Sequence, residues 1–195
     1  MAEPNRLFFA LLPDDATRAA CEVLARDLKL RMQPGGYPVN ALRYHLTLLF
    51  LGDFVTPQQE ETAIEVAHRV SSEPFMLSLD QAMSFRNREI PWVLVPRQAP
   101  VALQLLHDRL RQALRDVGVL PDRMRFAPHL TVLRNAGQVL PVTQVGPLSW
   151  PVREFVLIRS VLHRQPARYE VIGRWPLAGT GHESKAPAQM NLWEN

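Results

Sequence analysis

The sequence predicts an α+β fold: two mainly antiparallel sheets with flanking helices, built from two similar halves. Three features point there. Short strand-like runs are mixed irregularly with three stretches of helical period. None of the strand runs is the continuous Val/Ile stretch of a parallel sheet buried on both faces. And a helix followed by a histidine-bearing strand occurs twice.

The elements follow in chain order. Arg6 to Leu12 (RLFFALL) is short, apolar and stopped by Pro13, which makes it a buried first strand. The first helix is expected over roughly Asp15 to Leu30, with Ala16, Ala19, Ala20, Val23, Leu24 and Leu28 on its packed face. MQPGGYPVN has loop chemistry. Leu42 to Leu51 (LRYHLTLLFL) reads as a strand closed by Gly52 and Asp53. Thr56-Pro57-Gln58-Gln59 then opens a second helix, with Thr56 as cap, Pro57 at the first helical position and Gln59 completing a capping box. Phe75, Leu77 and Leu79 alternate as in a half-buried strand, and Ile90 to Val95 is another. Ala102, Leu103, Leu106, Leu110, Leu114 and Val117 mark a third helix ended by Gly118. Arg125 to Arg134 (RFAPHLTVLR) repeats the pattern of Leu42 to Leu51. Glu154 to Leu162 and Arg168 to Leu177 form a hairpin around Arg164-Gln165-Pro166. Residues 1–178 are read as one bilobal unit, and 179–195 as a disordered tail with Trp193 its only bulky anchor.

Composition excludes several classes of function. No run approaches the eighteen or more apolar residues of a membrane span. The opening MAEPNRLFFALLPDD lacks the layout of a secretory signal. Cys21 is the only cysteine, which rules out a disulfide framework or thiolate metal cage and suits helix packing. The expectation is a cytoplasmic monomer. The net charge is +3, but only Lys29 and Lys185 among the 22 basic residues are lysine. Arginine's planar fork matches phosphate, although a genome-wide preference for arginine over lysine is the better account of such a bias. It counts only beside a motif.

The motif is a pair: His45-Leu46-Thr47-Leu48 and His129-Leu130-Thr131-Val132. On a strand, each copy sends two aliphatic side chains to one face and an imidazole with a hydroxyl to the other. With six histidines and seven threonines in the chain, chance supplies about 0.2 His-x-Thr triplets. Two, each set among apolar neighbours, are not expected by accident. The chemistry that needs such pairs is the opening of a cyclic phosphodiester. One histidine takes a proton from water and the other gives one to the departing sugar oxygen. Two threonine hydroxyls can donate to the non-bridging phosphate oxygens. No metal or other cofactor is called for, and no His/Asp/Glu set has ligand spacing.

From Arg6 to Leu177 the chain resembles the 2H phosphoesterases, and within them the LigT-like branch of RNA 2′,3′-cyclic phosphodiesterases, also called 2′–5′ RNA ligases. The resemblance rests on RLFFALLP, on HLTLLFLGD at His45 to Asp53, on FAPHLTVLR at Phe126 to Arg134, and on EFVLIRSVL with RYEVIGRWPL. It implies a bilobal fold of pseudo-twofold symmetry, each lobe giving one His-x-Thr strand to a central cleft. It implies hydrolysis of RNA 2′,3′-cyclic phosphate ends, on tRNA halves, oligonucleotides or cyclic nucleotides, to a 2′-phosphate. By the same resemblance His45, Thr47, His129 and Thr131 are catalytic, with His129 as base and His45 as acid, and Arg134 binds phosphate. Phe50, Phe126 and Tyr169 stand where substrate-contacting aromatics occur, although aromatics on strands are more often core. Two departures, Met83-Ser84-Phe85 and Val95 in place of common glycines, lie outside the motifs. The rival readings are an ATP-independent 2′–5′ ligase and a nucleotide- or RNA-binding module without turnover. Of the other histidines, His68 and His107 are read as structural or exposed, His163 as lying near a turn, and His182 as part of the tail.

Overall fold

A computed structural model describes residues 5–121, 125–161 and 169–178. Its elements are β1 (Asn5–Leu11), α1 (Asp15–Met32), β2 (Tyr37–Pro38), β3 (Leu46–Gly52), α2 (Pro57–Ala67), β4 (Phe75–Ser84), β5 (Trp92–Val95), α3 (Val101–Asp116), β6 (Leu130–Arg134), β7 (Thr143–Val152), β8 (Glu154–Val161) and β9 (Tyr169–Pro176). The expected tail, the hairpin tip at Arg164-Gln165-Pro166, His163 and His182 lie outside the described residues.

All strand pairs are antiparallel, and hydrogen bonding runs β7-β4-β5-β6-β3-β1-β8-β9, with β2 added beside β6. The two expected sheets are thus two halves joined at their histidine strands by one pair, Leu46 with Leu130. Walking outward from the join, β3, β1, β8 and β9 mirror β6, β5, β4 and β7. The helices mirror each other too: α1 links β1 to β3, and α3 links β5 to β6. Each helix crosses the join, α1 against β6 and β7, α3 against β3. This packing holds the two halves together where the strands alone meet at one point. No helix of the described residues is long and apolar enough to cross a membrane.

β1 shows how a short apolar run serves two surfaces. Leu7, Phe9 and Leu11 enter the main core under the helices, while Phe8 and Ala10 join Val156 and Ile158 in a small cluster on the opposite face. That opposite face is the one on which the site is built.

The helix ends match their caps. Asp14 accepts from the Thr17 amide at 2.7 Å, and the Thr56/Gln59 capping box is complete. The packed face of α1 differs from expectation, however. Thr17, Cys21 and Leu28 are buried, whereas Ala16 and Ala19 are exposed and Val23 is 64% exposed. Small alanines carry little directional signal, and Thr17 faces inward because its hydroxyl donates to the Ser149 carbonyl on β7.

Two strands went unread in the sequence. β7 contains a glycine and two prolines, residues that signal a turn; it is an edge strand, where proline costs no ladder bond that matters. β2 lies within the segment expected to be a loop. Gly36 beside it has φ 63°, and a Cβ there would run into the carbonyl oxygens of Arg134 and Asn135. The histidine strands are also shorter than expected. β3 begins at Leu46 after a 3-10 turn over Ala41–Arg43, and β6 begins at Leu130, so each histidine immediately precedes its strand.

Leu46 and Leu130 are both 0% exposed. Leu130→Ala should cost about 2–5 kcal/mol in urea unfolding, whereas Leu42→Ala, at a site 78% exposed, should stay within about 0.5 kcal/mol.

Candidate active site

The pairing of Leu46 with Leu130 sets the geometry of the site. In an antiparallel register, one step either way places His45 opposite Thr131 and Thr47 opposite His129. Because the two leucines point into the core, all four polar side chains fall on the other face. Diagonal positions across such a pair stand about 7–8 Å apart, a span that one phosphate, hydrogen-bonded on both sides, can bridge.

Each ring is oriented by its own main chain. His45 Nδ1 lies 2.9 Å from the Arg43 carbonyl oxygen, and His129 Nδ1 lies 2.7 Å from that of Ala127. A carbonyl only accepts, so both rings donate Nδ1–H and keep an Nε2 lone pair; His129 lines the site's cleft, whereas His45 is not part of its lining. Aromatic rings fix the planes. Phe8 packs on His45 with centroids 5.2 Å apart and Tyr169 meets it edge-on at 5.5 Å, while Phe85 meets His129 edge-on at 4.9 Å.

Burial, with nearby positive charge, disfavours the protonated form of both rings. Burial pushes the His45 pKa below its ordinary 6.5; the hydrogen bond to Arg43 opposes this, and the charges of His129, Arg134 and Arg43 add to it. His129 is lowered in the same way, by burial first and then by Arg134, against its bond to Ala127.

Thr47, Thr131, His129 and Arg134 line an open cleft of about 560 Å³. Among the described residues no hydrogen bond occupies either threonine hydroxyl. Arg134 Nη1 reaches Glu89 Oε2 at 3.1 Å; both side chains are substantially exposed, so the pair can exchange for an anion.

The predicted aromatics divide. Phe50 and Phe126 both line the cleft, and Phe126 stacks flat on His107 at 4.2 Å. His107 is 4% exposed and holds Asp108 Oδ1 at 2.9 Å, so it supports the cleft wall from within. Tyr169 stands outside the cleft lining, beside His45, with the Arg43 guanidinium 4.8 Å above its ring. Sequence reasoning missed Phe8, Arg43, Phe85 and Glu89 as neighbours of the site. For Phe8 the signal was available, since alternation along RLFFALL puts it on the face opposite Phe9.

The fold recurs in known proteins. The RNA 2′,3′-cyclic phosphodiesterase of Escherichia coli is 34% identical over 179 residues, covering 91% of this chain and 99% of the relative. That of Thermus thermophilus is 30% identical, covering 89% and 91%. Crystal structures of E. coli LigT superpose with TM-scores of 0.77 for the apo form and 0.75 for the complex with 3′-AMP. They are 33% and 32% identical, each comparison covering 90% of this chain, and 98% and 99% of the solved chains. The model of the 2′-5′ RNA ligase superfamily matches residues 13–164, and with that match this chain belongs to the superfamily.

Proposed function

We propose that this protein hydrolyses the 2′,3′-cyclic phosphate at RNA ends to a 2′-phosphate, without a metal, using His129 as general base and His45 as general acid. The observation that carries this reading is the shared face of the two His-Thr pairs, with each Nδ1 tied to a carbonyl and each Nε2 left free. Relatives named RNA 2′,3′-cyclic phosphodiesterase support the substrate, and the solved E. coli LigT complex with 3′-AMP supports nucleotide binding.

The step balances simply. Water attacks phosphorus and gives a proton to His129 Nε2; the P–O3′ bond breaks, and O3′ takes a proton from His45 Nε2. Thr47 and Thr131 donate to the non-bridging oxygens, and Arg134 exchanges Glu89 for the phosphate. Burial first, and then the positive charge around it, disfavours a proton on His45 in the free protein. The substrate anion restores the proton that the acid needs, so protonation and binding are linked. Phe50 and Phe126 offer ring faces for the nucleoside. Cys21, buried and with its thiol pushed up to about 12, suits the reducing cytoplasm, and the catalytic unit is complete in one copy of the chain.

His45→Ala and His129→Ala should each reduce kcat on an RNA end by at least about 100-fold while leaving the thermal unfolding transition in place. Wild-type rates in both variants would end the reading. The pH profile carries a sign. Both free-enzyme pKa values lie below 6.5, so the bell of kcat/KM should centre below pH 6.5. It falls at low pH as His129 protonates and at higher pH as His45 loses its proton. The profile of kcat should sit at higher pH, because the bound anion raises both values. EDTA should leave the rate unchanged; loss of activity that added divalent metal restores would replace this mechanism with metal-assisted hydrolysis.

A further inference from the structure

Arg43 has no counterpart in the other half, where Ala127 occupies the matching position two residues before the histidine. Its guanidinium lies over the Tyr169 ring at 4.8 Å, and Tyr169 in turn abuts His45. The Arg43 Nε is buried without a hydrogen-bond partner. No carboxylate of the described residues pairs with the group, whereas Arg6, Arg134 and Arg159 all have acidic partners. A cation stacked on an aromatic ring and left without a counterion is how proteins engage single-stranded nucleic acid.

Its place separates it from the reacting group. The charge of Arg134 bears on both histidines, as it must for a group beside the phosphate held between them. The charge of Arg43 bears on His45 alone, and Arg43 and Tyr169 lie on the His45 side of the site; none of these three residues lines the cleft that holds His129, Thr47 and Thr131. Arg43 is therefore set beside His45, across the Tyr169 ring and away from His129. A hydrolysable RNA end carries its nearest further phosphate on the 5′ side of the terminal nucleoside.

We propose that Arg43, held on Tyr169, contacts the phosphodiester that precedes the cyclic phosphate, so that the protein prefers an RNA strand end to a cyclic mononucleotide. This rests on the hydrolytic reading above and extends it to substrate length.

The test compares kcat/KM for a 2′,3′-cyclic mononucleotide with that for a dinucleotide of the same terminal base ending in a cyclic phosphate. Each is measured with wild type, Arg43→Ala and Arg43→Lys at the pH optimum of each protein. Wild type should favour the dinucleotide. Arg43→Ala should lose about tenfold on the dinucleotide, the range of one charge-assisted hydrogen bond, and less than about twofold on the mononucleotide, with the His45–carbonyl bond kept because it uses the main chain. Arg43→Lys, which keeps the charge, should recover part of the loss. Equal losses on both substrates, no loss on either, or equal wild-type rates would overturn the inference while leaving hydrolysis standing. Wild-type protein that turns over neither substrate would overturn the hydrolytic reading, and this inference with it.

Discussion

The site depends on one antiparallel contact, between Leu46 and Leu130. Neither residue takes part in chemistry, yet their burial on one face is what presents His45, Thr47, His129 and Thr131 on the other. A slip of one residue in either strand would turn its histidine and threonine into the core. The register is therefore specified by apolar burial on the helix side. The crossed packing of α1 on β6 and β7, and of α3 on β3, keeps the halves from separating at so narrow a join. Core packing and catalytic geometry are here two faces of the same strands.

A second constraint follows from placing two imidazoles and two arginines together. Burial raises the cost of any charge, and like charges on adjacent groups repel, so both rings favour the neutral form. Such a site is unfinished until an anion arrives. In the proposed reaction the phosphate would offset the arginines and favour a protonated ring, linking the acid's proton to substrate binding. Glu89 serves the empty state by partnering Arg134 at the exposed rim, where the pair is weak enough to open.

Much of this was legible in the sequence because the deciding pattern has a period of two. Alternation in HLTL and HLTV separates core from site without knowledge of the fold, and the duplication shows that two strands share the task. The α2 capping box, the α3 apolar stripe and the β8–β9 hairpin were readable for similarly local reasons. What escaped depends on tertiary context. β7 has the prolines and glycine of a turn and is a strand because it pairs along β4 at the sheet edge. The face of α1 is set by Thr17 reaching a carbonyl on β7, a partner 132 residues away. Arg43 reads as one arginine among twenty until the fold lays it across Tyr169 beside His45.

The departure from symmetry carries as much information as the symmetry. Equivalent strands supply equivalent groups, but in the proposed reaction one histidine must begin neutral and the other protonated. A perfectly twofold site would give them the same environment. Here the halves diverge around the motif. His45 lies under Phe8, against Tyr169 and near two arginines, while His129 meets Phe85 and feels Arg134 alone. Duplication supplies the quartet and its spacing; the unequal neighbours distinguish its two histidines. The cleft, too, opens along Phe50, Phe126 and His129, without His45, rather than evenly about the join.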